Sequence, residues 1–170
     1  MHSIREGLAR LSEDVHALSY RLHPSILRDL GLREALRSEC EHFSQTSPFR
    51  VDFRADEIPE HVPEDVGLCL FRIVQESLRN ITRHASATRA AIRMRPLDGG
   101  LLLTVRDNGV GFDQGQDRAR ASLGLASMRQ RIALVGGKLN IDSKPLQGTT
   151  ITAWVPMVEA SAEPLARVAG

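Results

Sequence analysis

The apolar residues near the start of the chain repeat with the spacing of a helix that packs against another helix. Six of them follow one another in alternating steps of four and three residues: Ile4, Leu8, Leu11, Val15, Leu18 and Leu22. This heptad seam predicts a helix that requires a partner helix, from the same chain or from a second one. Because Pro24 restricts His23 and cannot continue a helix, we expect the helix to end there. A short connector then reaches Gly31.

The middle of the chain changes from helical to strand-like spacing several times. One helix is predicted from about Leu32 to Ser44, with Leu36 and Phe43 on its apolar face, and a longer one from about Glu64 to His84. Alternating apolar and polar residues predict three strands, at 49–54, 88–95 and 101–106. The last two strands are joined by a turn at Asp98-Gly99-Gly100.

The last third of the chain begins with a polar stretch from Asp113 to Ser122, which predicts a mobile loop. The next helix has an apolar face from Leu125 to Val135 and closes at Gly136-Gly137. Two further strands are predicted at 138–143 and 149–155, and residues 158–170 are expected to form a flexible tail.

The order of these elements indicates the fold class. Strands outnumber helices, and neighbouring strands joined by short turns form antiparallel hairpins, which favours helices packed on one face of a sheet. Regular alternation of strand and helix, as a doubly wound parallel sheet requires, is missing from the pattern. We therefore predict an α+β fold, a two-layer α/β sandwich with a mixed, mostly antiparallel sheet.

Composition narrows the classes of function. The 170 residues contain 22 basic and 21 acidic side chains, and the net charge of +1 gives no field that would attract nucleic acid or an anionic membrane. An aromatic content of 4% also argues against base stacking. No apolar run approaches the length of a membrane span, and Cys40 and Cys69 lack metal-ligand spacing. We expect a cytoplasmic protein with buried thiols that contacts neither nucleic acid nor membrane.

The first stretch with candidate chemistry runs from Asp107 to Phe112. Asp107 ends a predicted strand, and a carboxylate in an enclosed pocket accepts hydrogen bonds from an amino group such as that of adenine. Gly109 and Gly111 allow the backbone to turn sharply and to approach a ligand closely. An ordinary turn has the same residues, so this stretch alone leaves both interpretations open.

A second stretch lies on the long central helix. Glu76, Asn80 and His84 recur every four residues, with Arg83 beside them. The row suits a magnesium-bound polyphosphate, because Mg²⁺ prefers oxygen ligands such as the Asn80 carbonyl and the basic side chains suit phosphate. Glu76 is a candidate to accept a proton from an attacking group or to orient it. A solvated helix face would show the same residues.

Two shorter pieces complete the set. Gly124 and Leu125 stand where the polar loop meets a helix, and free backbone N–H groups at a helix start bind anions. Gly148 and Thr149 open the last strand, where glycine permits close approach and a hydroxyl reaches a ligand or a water. A simple helix cap and a tight hairpin are the alternatives.

Together the four segments resemble the nucleotide-binding boxes of the histidine-kinase, gyrase and chaperone ATPase superfamily, over about Val51 to Pro156. Four further pieces resemble the nitrate/nitrite-sensor class of two-component sensor histidine kinases: Leu70 to Glu76, Leu22-His23-Pro24, Asp29 to Leu32, and Met128 to Arg131. The resemblance implies a Bergerat-type ATP-binding fold that uses ATP and Mg²⁺. It also implies that residues 1–30 are part of the second helix of a dimerisation and phosphotransfer hairpin with its connector, and that residues 31–157 form the catalytic domain.

The resemblance also implies roles for individual residues. Asp107 would bind the adenine amino group, Asn80 would ligate Mg²⁺, and Glu76 would be the general base. Gly109 and Gly111 would shape the adenine pocket, and Arg83 and His84 would lie near the phosphates. Gly124 and Leu125 would belong to the lid. Thr149 would lie on the adenine side. Ser122 and Gln130 depart from the usual lid glycine and acidic residue.

The implied activity is transfer of the γ-phosphoryl group of ATP to a histidine, followed by relay to a response regulator. None of the six histidines here has the expected acceptor context, so we expect the acceptor on a helix absent from this fragment. The full-length parent would form a homodimer through its hairpin helices, and its anchoring in the inner membrane is left open. An anti-sigma-type serine kinase and a non-catalytic interaction module are the alternatives.

Overall fold

The fold of the chain is known from a computed structural model that describes residues 25–113 and 123–157. The elements in order are helix α1 (Ser25–Thr46), strand β1 (Arg50–Ala55), helix α2 (Glu64–Asn80), a π-helical turn (Ile81–Ala85), strands β2 (Arg89–Leu97) and β3 (Gly100–Asp107), helix α3 (Leu123–Leu134), and strands β4 (Lys138–Ser143) and β5 (Thr149–Pro156). The predicted heptad helix, the polar loop after 113 and the tail lie outside the described residues.

The five strands form one sheet in the order β1-β2-β3-β5-β4. β1 runs parallel to β2, because α2 connects them and returns the chain to the same end of the sheet. The other three pairs are antiparallel, and two of them, β2–β3 and β4–β5, are hairpins. The predicted mixed, mostly antiparallel sheet is confirmed.

Helix α2 lies in the middle of the helix layer, where it packs against α1, α3 and the sheet. Its residues Leu70, Phe71 and Ile73 have no solvent-exposed surface. On β3, Leu101 and Leu103 are buried at alternate positions, since successive strand residues point to opposite faces. The helix layer on one sheet face confirms the predicted two-layer α+β sandwich.

The start of α1 differs from the expected connector. Residues 25–30 are helical, and the helix is kinked at Gly31, where φ is 77° and ψ is 173°. Leu27 packs beside Gly67 of α2. A Cβ added to Gly67 would lie 3.7 Å from the methyl groups of Leu27, which is ordinary van der Waals contact. The connector prediction was wrong because these apolar contacts with α2 order the segment as a helix.

The end of α2 also differs from the prediction. The α-helix ends at Asn80, and the last predicted turn is a π-helical turn that stops at Ser86, which adopts a left-handed conformation with φ of 47°. A π-helix closes its hydrogen bonds over five residues rather than four. Arg83 and His84 therefore lie on a wider turn than the regular spacing from Glu76 predicts.

Two further expectations, the glycine end of α3 and the buried cysteines, are confirmed. Gly136, with φ of 66°, ends α3, and Gly137 donates a hydrogen bond to the Ile132 carbonyl at 2.9 Å. Both cysteines are buried and free of disulfides, and burial raises the pKa of Cys40 to about 12 and that of Cys69 to about 11. Within the described ranges, none of the helices has the length and apolar character needed to cross a membrane.

Candidate nucleotide-binding site

A cavity of about 660 Å³ lies where the end of α2 and the π-helical turn meet the ends of β3 and β5. Seven of the ten predicted site residues line it: Asn80, Arg83, His84, Asp107, Gly111, Leu125 and Thr149. Its apolar walls include Val105 and Ile151, which lie opposite each other on paired strands. Fold and sequence therefore converge on one concave space that combines apolar walls with polar side chains, the usual character of a small-molecule site.

Asp107 is the buried charged group of this cavity. It is the last residue of β3 and is 6% exposed. Its Oδ1 accepts a hydrogen bond from the Gly109 N–H at 2.8 Å, and the backbone of Thr149 provides a second bond. Burial raises the pKa of the Asp107 carboxyl, and the two backbone hydrogen bonds oppose that rise. A carboxylate has further lone pairs, so the group remains able to accept a hydrogen bond from a ligand.

Gly109 and Gly111 permit the chain after Asp107 to pass between two neighbouring segments. A Cβ on Gly109 would lie 2.7 Å from the Cβ of Ala85, and the next residue, Val110, donates to the Ala85 carbonyl at 2.8 Å. Gly111 has φ of 60° and faces the carbonyl oxygens of the β4–β5 hairpin. Gly109 thus shapes the cavity from behind and does not line it.

Thr149 lines the cavity, and its hydroxyl belongs to a small cluster of hydrogen-bonded groups. Its Oγ1 lies 2.9 Å from the Oγ of buried Ser143, which also accepts a hydrogen bond from the Phe112 N–H at 3.0 Å. The Gly148 carbonyl accepts from the same Ser143 hydroxyl at 3.2 Å. Ser143 was not among the predicted residues, and its signal in the sequence, one serine at a strand end, is too common to single out.

Asn108 is a second residue that the sequence analysis did not single out. Its Oδ1 accepts from the backbone N–H groups of Thr88 and Arg89 at 3.0 and 2.9 Å, and its Nδ2 donates to the Thr88 hydroxyl at 2.9 Å. These bonds fasten the segment after Asp107 to the start of β2. Asn108 therefore supports the backbone turn that positions Asp107.

Glu76 and Gly124 are brought together in an adjacent groove of about 850 Å³ between α2 and α3. A Cβ on Gly124 would overlap Oε1 of Glu76, so the first turn of α3 passes directly over this carboxylate. The other oxygen, Oε2, lies 3.4 Å from Nη1 of Arg79, and the Glu76 side chain is 21% exposed. Groove and cavity share Asn80, Arg83 and His84, which makes them two parts of one site.

The residues at this boundary fit a magnesium ion held together with a polyphosphate. Asn80 is half-buried and faces both spaces, one helical turn from Glu76. In residues 25–113 and 123–157 there is no group of three His, Cys, Asp or Glu side chains suited to a metal. Mg²⁺ usually has only one or two protein ligands beside waters and phosphate oxygens, so a single amide oxygen suffices.

Comparisons with known proteins agree with this geometry. The profile of the family described as histidine kinase-, DNA gyrase B- and HSP90-like ATPase matches residues 66–159. The chain is 35% identical over 153 residues to the sensor histidine kinase MctS of Rhizobium johnstonii, covering 89% of this chain and 33% of that protein. It is 34% identical over 155 residues to the oxygen sensor histidine kinase NreB of Staphylococcus carnosus, covering 91% and 45%.

A solved structure shows the same fold. The histidine kinase domain of the blue-light activated histidine kinase of Erythrobacter litoralis superposes with a TM-score of 0.61 at 24% identity, covering 74% of this chain and 61% of that one. The chain spans only a third to just under half of the two curated relatives. The predicted resemblance to sensor histidine kinases is confirmed, and the chain belongs to the histidine kinase-, DNA gyrase B- and HSP90-like ATPase family.

Proposed function

We propose that this chain is the ATP-binding catalytic domain of a sensor histidine kinase. The observation that carries the proposal is Asp107, a buried carboxylate at the wall of a cavity lined by Val105 and Ile151. An adenine ring fits such a space because its faces are apolar and its amino group is a hydrogen-bond donor. The family match supports binding of ATP in this cavity.

Some of the site residues then contact the adenine base of ATP, and others contact its phosphates. Asp107 accepts from the adenine amino group, Gly109 and Gly111 shape the pocket, and Thr149 lies on the adenine side beside Asp107. Leu125 belongs with Gly124 to the lid over the nucleotide. Arg83 and His84, both exposed on the π-helical turn, contact the phosphates. Asn80 would hold Mg²⁺ through its side-chain oxygen, and the ion would supply positive charge that neutralises the phosphates.

The proposed reaction moves the γ-phosphoryl group to a histidine that is not among the six in this chain. Little covalent chemistry is required of the protein, so positioning and charge neutralisation supply most of the rate. Glu76 accepts the proton of the attacking group or orients that group, and Gly124 lets the start of α3 approach it. The phosphoryl group then passes to a response regulator, and the parent protein works in the cytoplasm as a homodimer.

Replacing Asn80 by alanine tests the magnesium site. The affinity of the unmodified chain for ATP should rise roughly tenfold when Mg²⁺ is added. The Asn80→Ala chain has lost a ligand of the ion, so its affinity for ATP should be nearly the same with and without Mg²⁺. Calorimetric titration of ATP with and without Mg²⁺ measures this difference. The control is Asn140→Ala, an exposed side chain on β4, and an unchanged magnesium response in Asn80→Ala would contradict the assignment.

Replacing Glu76 by glutamine tests the phosphotransfer step. In a longer protein that joins this chain to a complete phosphoacceptor hairpin, Glu76→Gln should slow histidine phosphorylation about 100-fold, since glutamine cannot take a proton. ADP affinity should change little, because Glu76 lies in the groove and not in the cavity around Asp107. Labelled γ-phosphate measures the rate, and Glu64→Gln on the exposed start of α2 is the control. Equal rates in Glu76→Gln and the unmodified protein would remove the base role.

A further inference from the structure

The groove between α2 and α3 carries an excess of positive charge among the described residues. Four arginines and one histidine line it: Arg72, Arg79, Arg83, Arg131 and His84. The carboxylates that line it are two, Asp65 and Glu76. One carboxylate, Glu76, lies 3.4 Å from the guanidinium of Arg79. The other, Asp65, accepts a hydrogen bond from the Val66 N–H at 2.8 Å at the start of its own helix. The groove therefore attracts an anion more strongly than a cation.

Three of these arginines line the groove from two helices. Arg72 and Arg79 are seven residues apart on one face of α2, with Glu76 between them. Arg131 lines the groove from α3, and its Nη1 donates to the hydroxyl of Ser127, one turn earlier on the same helix, at 2.5 Å. Burial, and after it the charges of Arg131 and Arg79, lowers the pKa of Arg72. The three cations thus repel one another, and a bound oxyanion would relieve that repulsion.

Arg72 is held in this cluster by a buried polar chain that begins on α1. Its Nη1 donates to Oε1 of Gln75 at 2.8 Å, and Nε2 of Gln75 donates to Oε1 of Glu39 at 3.0 Å. Gln75 is 3% exposed and Glu39 is 7% exposed. Buried polar groups with satisfied hydrogen bonds rigidify their surroundings, so α1 orients Arg72 before any ligand arrives.

The position of the cluster relative to the cavity indicates which anion it takes. Asn80, Arg83 and His84 line both spaces, so a polyphosphate attached to a base beside Asp107 passes these residues and enters the groove. The phosphate farthest from the base then meets the guanidinium groups beyond Asn80. Planar guanidinium groups pair with phosphate oxygens through two parallel hydrogen bonds.

We propose that Arg72, Arg79 and Arg131 form a subsite for the terminal phosphoryl group of a nucleoside triphosphate whose base occupies the cavity, and that Gln75 and Glu39 are positioning residues for Arg72. The subsite makes the chain select a triphosphate over a diphosphate. This inference rests on the nucleotide binding proposed above and adds the residues that read the third phosphate.

Calorimetric titration of ADP and of a non-hydrolysable ATP analogue, both with Mg²⁺, tests the subsite. Arg131→Gln should weaken binding of the analogue about tenfold and leave ADP within about twofold, because only the triphosphate reaches the charge-assisted bonds that are lost. Arg129→Gln is the matched control, since Arg129 is exposed on the same helix outside the groove. It should change neither affinity.

A pair of variants at Glu39 tests the positioning role. Glu39→Ala removes the acceptor for Gln75 and should lower the preference for the triphosphate analogue roughly fivefold, while Glu39→Gln retains an acceptor oxygen and should restore it. Binding of ADP reports whether each variant is folded. A merely structural role for Glu39 would lower both affinities together and would not separate the two nucleotides.

The possible results distinguish the subsite from the nucleotide site itself. Equal losses for both nucleotides in Arg131→Gln, or no loss for either, would show that the arginine cluster does not read the third phosphate. An unmodified chain that binds both nucleotides equally well would overturn the subsite alone. An unmodified chain that binds neither would overturn the proposed function and this inference with it.

Discussion

Replacing Asp107 by asparagine is expected to lower the affinity of the chain for ATP and ADP about 1,000-fold, the largest binding effect that we foresee. The variant replaces one acceptor oxygen of the carboxylate by an NH2 group. When that NH2 group points at the ligand, it meets the adenine amino group, and two hydrogen-bond donors then face each other. A site built to pair one polar group of a ligand discriminates strongly because mismatched partners remain buried and unsatisfied. Calorimetric titration with ADP measures the loss directly.

The Asp107→Asn variant should remain folded, and the pH dependence of its stability provides the check. Burial raises the pKa of Asp107 above its ordinary value of 3.8, so ionisation is less favourable in the folded chain than in the unfolded one. The carboxyl therefore lowers the free energy of unfolding as pH rises past that value, and the effect is complete above the raised pKa of the folded state. Relative to the unmodified chain, the variant should be more stable at neutral pH than in acid.

Urea unfolding of both proteins without nucleotide, at about pH 3 and about pH 7, measures this difference. Asp142→Asn is the matched control, because Asp142 is exposed on β4 away from the cavity. It should bind nucleotide normally. If Asp107→Asn binds ADP as tightly as the unmodified chain does, the adenine assignment is wrong.

Replacing Gly111 by alanine is expected to have the largest effect on stability, a loss of about 4 kcal/mol in the free energy of unfolding. A Cβ at this position would overlap the carbonyl oxygen of Lys144 and lie 2.8 Å from that of Gly148. Backbone atoms of the β4–β5 hairpin cannot move aside as a flexible side chain can. The residue would also be held at φ of 60°, where alanine is strained.

Gly99→Ala separates the two causes of this loss. Gly99 also has positive φ, at 70°, but an added Cβ there has no neighbour within 4 Å among the described residues. This variant should therefore lose only about 1 kcal/mol, the strain alone. Equal losses in the two variants, measured by urea unfolding, would mean that the contact with the hairpin contributes nothing.

The ends of the elements show where sequence patterns reached their limit. The spacing of Glu76, Asn80 and His84 predicted one straight helical row, yet the chain changes to a π-helical turn after Asn80. The segment after Asp107 lies against Ala85, the last residue of this turn, where the Val110 N–H donates to the Ala85 carbonyl. A contact between residues so distant in the chain produces no repeating pattern in the local sequence, so the sequence could not predict it.

The residues that support the site were missed for the same reason. Asn108 and Ser143 act through hydrogen bonds to residues far away along the chain, Thr88 and Phe112 respectively. The Glu39–Gln75–Arg72 chain likewise joins two helices that are far apart in sequence. Polar residues of these types are common on surfaces, and only their partners in the folded chain distinguish them.

The amino-acid sequence by itself determined the element types, the mixed and mostly antiparallel sheet, the family and the residues around the cavity, because periodicity and motif spacing are local properties. The tertiary structure alone decided that Asp107 is buried with two backbone donors, that Gly124 lies against Glu76, and that Arg131 lines the same groove as Arg72 and Arg79. Each of these depends on packing between segments far apart along the chain. Burial and the approach of charges arise only when the helices and strands come together.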